Sequence, residues 1–342
     1  MGLYGGLRAC ITCVVLMANA RPFRVPPPGH RFPRASHGYI PHSCLEAVMP
    51  AYSSLARRGR RPAVVLLGGL VSASLALTLA PTAAAAPLAP PPGKDVGPGE
   101  AYMGVGTRIE QGLGAGPDER TIGPADTSGV QGIDVSHWQG SINWSSVKSA
   151  GMSFAYIKAT EGTNYKDDRF SANYTNAYNA GIIRGAYHFA RPNASSGTAQ
   201  ADYFASNGGG WSRDNRTLPG VLDIEHNPSG AMCYGLSTTQ MRTWINDFHA
   251  RYKARTTRDV VIYTTASWWN TCTGSWSGMA AKSPFWVAHW GVSAPTVPSG
   301  FPTWTFWQYS ATGRVGGVSG DVDRNKFNGS AARLLALANN TA

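Results

Sequence analysis

The sequence of 342 residues predicts an α/β barrel whose last part is built from strands alone. Three observations carry this expectation. From Asp126 onward one theme repeats: an apolar strand-like run, a polar or acidic end, and often a helical segment after it. Beyond the fifth strand the theme changes, and three more strands follow across short Gly/Pro loops with little room for helices. All eleven Trp lie at or beyond Trp138, whereas Pro-rich stretches such as 26–28 and 90–92 fall early, so the core belongs to residues 126–342.

The elements follow in order. Residues 130–135 read as a strand ending at Asp134, and Asn143 caps a helix over 143–150. A second strand, 153–159, ends at Thr160-Glu161-Gly162, and a helix over 168–180 stops at Gly181. The third strand, 181–189, ends at Tyr187 and His188, and a helix follows over 196–206. Residues 218–225 form the fourth strand. Ser237 then caps a helix running to Lys253, in which Met241, Trp244, Ile245 and Phe248 make one apolar stripe for core packing. Strands over 259–265, 285–290, 303–309 and 318–323 complete the set. Parallel α/β barrels carry their sites at the C-terminal strand ends. That rule gathers Asp134, Glu161, His188, Asp223, Glu225, Tyr263, Trp290, Gln308, Asp321 and Asp323 around one mouth.

The chemistry centres on LPGVLDIEHN, residues 218–227. Successive strand side chains alternate, so Asp223 and Glu225 share a face with Cβ atoms roughly 6.5 to 7 Å apart. Glycosidases place their two carboxyls about 5 to 9.5 Å apart. An acidic pair at a strand end also suits a divalent cation or plain solvation, so these ten residues alone leave three readings open.

The region before Asp126 reads as targeting sequence. Arg57, Arg58, Arg60 and Arg61 precede an uncharged apolar run over 63–80 and an Ala-rich end over 82–86. That order is a secretory signal over 49–86; a retained anchor is the competing reading. Met49 is then the natural start, with 1–48 a doubtful leader. Residues 87–125, rich in Gly and Pro, read as a linker or a removed pro-segment. Cys10, Cys13 and Cys44 fall in the leader, which leaves Cys233 and Cys272 to form one disulfide in a secreted, extracellular domain. No Cys/His array suggests a metal, and no cofactor is expected.

Charge points to the partner. From Asp126 onward there are 18 Lys+Arg against 13 Asp+Glu, within a total net charge of +11. A modestly cationic secreted protein is drawn to an anionic bacterial wall. The run Arg251, Lys253, Arg255 and Arg258 lacks aromatic interleaving beyond Tyr252 and reads as a solvated helix face rather than a nucleic-acid site. A monomer without stable membrane association after signal removal is expected.

Seven ordered motifs carry a resemblance: GIDVSHWQG (132–140), IKATEG (157–162), GAYHFA (185–190), VLDIEHN (221–227), IYTTASWW (262–269), FWQYS (306–310) and GDVDRNKF (320–327). Together they resemble glycoside hydrolase family 25, the Chalaropsis-type lysozymes, over 126–342, and Asp126 is similar to the mature first residue of a member. The resemblance implies a flattened (β/α)5(β)3 barrel that cuts the β-1,4 bond between N-acetylmuramic acid and N-acetylglucosamine. It also implies Glu225 as general acid, Asp223 as partner carboxylate, and Asp134 and Asp323 as flanking acids. Neighbouring negative charge would keep Glu225 protonated near neutral pH. Attack by the sugar acetamido group, a covalent aspartyl intermediate and direct inversion all stay open.

Further residues have two readings each. Tyr187 and Tyr263 orient substrate or a carboxylate, or they pack. Trp290 stacks on a sugar or belongs to the core. His137 and His188 bind substrate or are hydrogen-bonded structural residues. Asp321 shares the face of Asp323 and binds substrate or holds a loop. Two other classes compete: a chitinase-like hydrolase, which usually carries the longer run DxxDxDxE, and a non-catalytic wall-binding module, against which retention of all four acids speaks.

Overall fold

The computed structural model describes residues 96–112 and 128–341. The expected leader, the signal over 49–86 and the expected mature start at Asp126 lie outside the described residues. Alternation of side chains builds the barrel. In β2 (Phe154–Glu161), Phe154 and Tyr156 enter the interior while Ala155 and Ile157 face an outer apolar layer. The same alternation runs through β4 (Ile183–Phe189), β5 (Val221–Asp223), β6 (Val261–Thr264), β7 (Phe285–Ala288) and β8 (Phe306–Gly313). Tyr187, Val221, Tyr263, Trp286 and Phe306 point inward; Leu222, Ile262, Val287 and Trp307 point out.

These strands, with β1 (Val130–Val135) and β9 (Val322–Phe327), make a sheet in the order β1-β9-β8-β7-β6-β5-β4-β2. Pairing of β1 with β2 closes it into an eight-stranded barrel. A two-residue strand, β3 (Tyr165–Lys166), extends β2 as a hairpin. The outer layer holds α2 (Trp144–Ser149), α3 (Phe170–Asn179), α4 (Gly197–Ser206) and α5 (Thr238–Thr256), the last entered through the expected Ser237 cap. Met241, Trp244, Ile245 and Phe248 are buried on α5, so that stripe is core.

Three expectations are corrected. The last strand does not span 318–323 but is β9, Val322–Phe327, and it runs antiparallel to both neighbours. Gly317 and Gly320, at φ 97° and 88°, take the chain through a turn that L side chains resist, so it reverses before the strand begins. The fourth strand shrinks to Val221–Asp223 because Pro219 and Gly220 precede it and its ladder stops at Asp223. Arg258 is no solvated residue: it is 4% exposed, donates to the Leu337 carbonyl at 2.7 Å and lies over the Trp211 ring. Arg251 and Arg255 pair with Asp202, and Lys253 with Asp259, as expected of an exposed face. Two helices escape the periodic reading: α6 (Ala266–Thr273), capped by Thr265, and α7 (Ala331–Asn339), capped by Ser330.

Cys233 and Cys272 are bonded, with Cα atoms 5.4 Å apart, and tie the loop after β5 to α6. The enclosed loop of 39 residues corresponds to roughly 4 kcal/mol of lost chain entropy in the unfolded state.

Candidate active site

The inward positions of successive strands change from aromatic at mid-barrel to polar at the C-terminal mouth. Tyr156 is followed by Lys158, Val221 by Asp223, Phe306 by Gln308, each two residues on and so on the same face. β1 adds Asp134. The reversed β9 enters at this mouth, and its register pairs Asp323 with Asp134. Antiparallel direction thus delivers an acid from the start of a strand to where the other strands deliver theirs from their ends.

All four expected acids are buried, and Asp223 and Glu225 are 0% exposed. Asp134 accepts from Gln308 Nε2 at 2.9 Å and from Asn325 Nδ2 at 2.8 Å, both on Oδ2, and shares a hydrogen bond with Asp323. Burial pushes Asp134 up to about 6, partly offset by those bonds. Burial, then the charge of Asp134, pushes Asp323 well above the carboxylate range, so the two acids hold one proton between them. Asp223 is raised first by burial, then by the charges of Glu225 and Asp134, and both of its oxygens are buried without a hydrogen-bond partner among the described residues. That is a costly arrangement, of a kind that persists where it serves chemistry.

Gln308 ties the cluster together. Its Oε1 accepts from Tyr263 Oη at 2.6 Å and from Trp290 Nε1 at 3.0 Å, while its amide holds Asp134. Tyr263 and Trp290 therefore touch the site through one amide, and Tyr187, fully buried, reaches it from β4. Beside them a register shift in β2 between Lys158 and Thr160 turns Lys158 and Glu161 to the mouth together. Glu161 accepts from Lys158 Nζ at 2.6 Å and from Arg191 at 2.7 and 2.9 Å, a compensated cluster rather than a free acid. Asn325 and Lys158 were not among the sequence-based candidates. The signal for Asn325 is its parity with Asp323, and the signal for Lys158 is its parity with the inward Tyr156; the β2 irregularity hides only the turn of Glu161 toward Lys158.

Residues 96–112, inside the stretch expected to be linker or pro-segment, lie across this mouth. Gly104 N donates to Glu225 Oε1 at 3.0 Å, and Gly106 N and Thr107 N donate to Oε2 at 3.0 and 3.2 Å. These amides open a short helix, α1 (Val105–Glu110). Burial pushes the Glu225 carboxyl well up, and the three amides pull it back.

Two expected residues lie elsewhere. Asp321 precedes β9 and pairs with Arg314 at 3.0 Å in a partly exposed loop. His188 points out of the barrel, because Tyr187 takes the inward position; it stacks near Phe204 and Phe248. Its Nε2 donates to Gln200 Oε1 at 2.9 Å, so Nδ1 accepts from Thr160 Oγ1 at 2.8 Å and the ring is neutral. His137 pairs with Asp167 at 3.2 Å beside the mouth residue Trp138.

Burial lowers the His188 pKa to about 4 from 6.5. Between those values the unfolded chain binds a proton that the folded chain refuses, so this contribution to stability is complete above pH 6.5 and is lost as pH falls toward 4. The expected loss is about 3 kcal/mol. Urea unfolding of wild type and His188→Gln at pH 7 and 4.5 checks this: the variant starts less stable but loses less on acidification. Equal losses in both proteins would contradict it.

An eight-stranded mixed barrel with buried carboxyls gathered at one mouth presents the paired acids that glycoside hydrolases use. The profile of Glycosyl hydrolases family 25 matches residues 133–318. The chain belongs to that family. It is 46% identical over 213 residues to an N,O-diacetylmuramidase of Chalaropsis sp., covering 61% of this chain and 99% of that protein. An N,O-diacetylmuramidase of Arthroderma benhamiae is 44% identical over 209 residues, covering 61% and 86%. Among solved structures, a muramidase from Acremonium alcalophilum is 53% identical, with TM-score 0.59, covering 62% of this chain and 99% of that one. A family GH25 lysozyme from Aspergillus fumigatus is 52% identical, with TM-score 0.58, covering 61% and 98%.

Proposed function

We propose that this protein is a secreted muramidase that hydrolyses the β-1,4 bond between N-acetylmuramic acid and N-acetylglucosamine in bacterial peptidoglycan. Membership of family 25 supports the reaction class. The observation that carries the residue roles is Asp223, a buried carboxyl with neither oxygen hydrogen-bonded among the described residues, next to a second acid whose pKa is raised by burial. Glu225 is the general acid. It gives its proton to the glycosidic oxygen as the bond from the anomeric carbon to that oxygen breaks. Positive charge then develops at the anomeric carbon; that charge favours the ionised form of Asp223, which stabilises it through space in a low-dielectric site.

Burial disfavours ionisation of Glu225, and at Asp223 the charges of Glu225 and Asp134 add to the effect of burial. Gln308 and Asn325 position Asp134, and Gln308 positions Tyr263 and Trp290 beside the sugar path. Water completes the hydrolysis. Export through the signal over 49–86 and attraction of the cationic barrel to the wall bring enzyme and substrate together.

The test is mass spectrometry of fragments released from purified walls by the chain beginning at Asp126. Relatives consisting almost wholly of the barrel indicate that this form folds alone. Fragments with N-acetylmuramic acid at the reducing end are expected. Reducing-end N-acetylglucosamine, or release of peptides alone, would sink the assignment.

A further inference from the structure

The barrel mouth is also a peptide-binding surface, occupied by this chain's own residues 96–112. We infer that these residues are an inhibitory pro-segment, which holds the enzyme closed until a protease cuts the chain on the C-terminal side of Gly112. The inference rests on the muramidase reading for its activity measurements, and on the contacts below for its geometry.

The segment is bound along its length, with partners drawn from most of the barrel strands or the loops that follow them. Arg191 and Ser229 donate to the Val96 carbonyl at 3.0 and 2.9 Å. Gly99 N donates to Glu161 at 3.1 Å, Trp138 Nε1 to the Glu100 carbonyl at 3.1 Å, and Lys158 to the Ala101 carbonyl. Further on, Thr265 Oγ1 donates to Glu110 at 2.8 Å. Ala101 and Met103 are 0% exposed, and Met103 packs with the interior aromatics Tyr187 and Tyr263. A passive linker would leave its apolar side chains and amides to water.

Chemistry points the same way. A general acid must direct a proton at the substrate, yet Glu225 accepts amide hydrogens on both oxygens. The segment therefore occupies the sugar's place and holds the acid as an acceptor. Two glycines make the approach possible. A Cβ on Gly106 would stand 2.7 Å from His226 N and 2.8 Å from His226 O, backbone atoms that cannot swing aside. Gly104, at φ 93°, would put a Cβ 2.9 Å from the Trp290 ring. The relative from Chalaropsis sp. is matched over 99% of its length by 213 residues, so a barrel-sized chain suffices for a family member. Activation is peptide hydrolysis: the bond breaks, water gives its hydroxyl to the new carboxylate and its proton to the new amine.

The experiment compares three proteins on purified walls: the full-length chain, the full-length chain carrying Gly106→Val, and the chain beginning at Asp126. The full-length chain should be at least about 10-fold slower than the Asp126 form, because only the fraction of molecules with the segment released can take up wall. Gly106→Val should recover most of the difference, a gain that misfolding cannot produce. A synthetic 96–112 peptide should bind the Asp126 form in calorimetry and inhibit it competitively, and the Gly106→Val peptide should do neither. Equal rates for the first and third proteins, or a wild-type peptide that does not bind, would overturn the inference. If the Asp126 form cut no walls, the muramidase reading would fall, while the calorimetric comparison of the two peptides would still decide the pro-segment.

Discussion

Glu225→Gln, made in the chain beginning at Asp126, is expected to lower wall hydrolysis by at least about 10²-fold. The substitution keeps size and hydrogen-bonding capacity but removes the transferable proton. Loss should fall on kcat rather than KM, since the amide still occupies the same space beside the sugar. Reducing-end release on purified walls, with circular dichroism to verify folding, measures it. Near-normal turnover in a folded variant would remove Glu225 from the role of acid, and the mechanism with it.

Asp223→Asn should separate activity from stability. With the negative charge gone, the developing positive charge faces a neutral amide, and a loss of about 10²- to 10³-fold is expected in the Asp126 form. Stability should move the other way in the full-length chain, where Asp223 is 0% exposed and neither oxygen has a hydrogen-bond partner among the described residues. The sign follows from linkage. Burial raises the folded-state pKa of this acid above its unfolded value, so above about pH 4 the charge opposes folding, and a neutral side chain relieves that cost. A thermal midpoint a few degrees above wild type at pH 7 is expected, as for other active-site groups kept at the expense of stability. A lower midpoint together with full activity would contradict both parts.

Much of this was legible in the sequence because period-two alternation carries information about faces. Parity alone puts Asp223 on the same side as Val221, and Gln308 on the same side as Phe306. Where parity breaks, the reading fails. The shift in β2 is invisible in IKATEG, so the pairing of Lys158 with Glu161 had no signature there. His188 misleads for the opposite reason: adjacent to the inward Tyr187, it must face outward, whereas its place at a strand end alone points to the mouth. The direction of β9 was lost because GGVSGDVD contains both a turn and a strand start, and hydropathy does not distinguish a strand's first residue from its last. The 96–112 segment was read by composition. Its Gly residues are there for close approach to the mouth as well as for turns, and composition cannot tell these uses apart.

The seam where β1 meets β9 has a temporal consequence. The acids Asp134 and Asp323 come from strands at nearly opposite ends of the barrel sequence, and their register forms only when those strands zip together. Such contacts are the last a growing chain can make and the slowest to find by diffusion. A nascent or partly threaded polypeptide holding the first seven barrel strands has Asp223, Glu225 and the Gln308 contact to Asp134, but lacks Asp323 and Asn325 beside it. Synthesis of β9 and the residues after it, about one to four seconds at typical elongation rates, therefore completes the barrel wall and the acid cluster in one event.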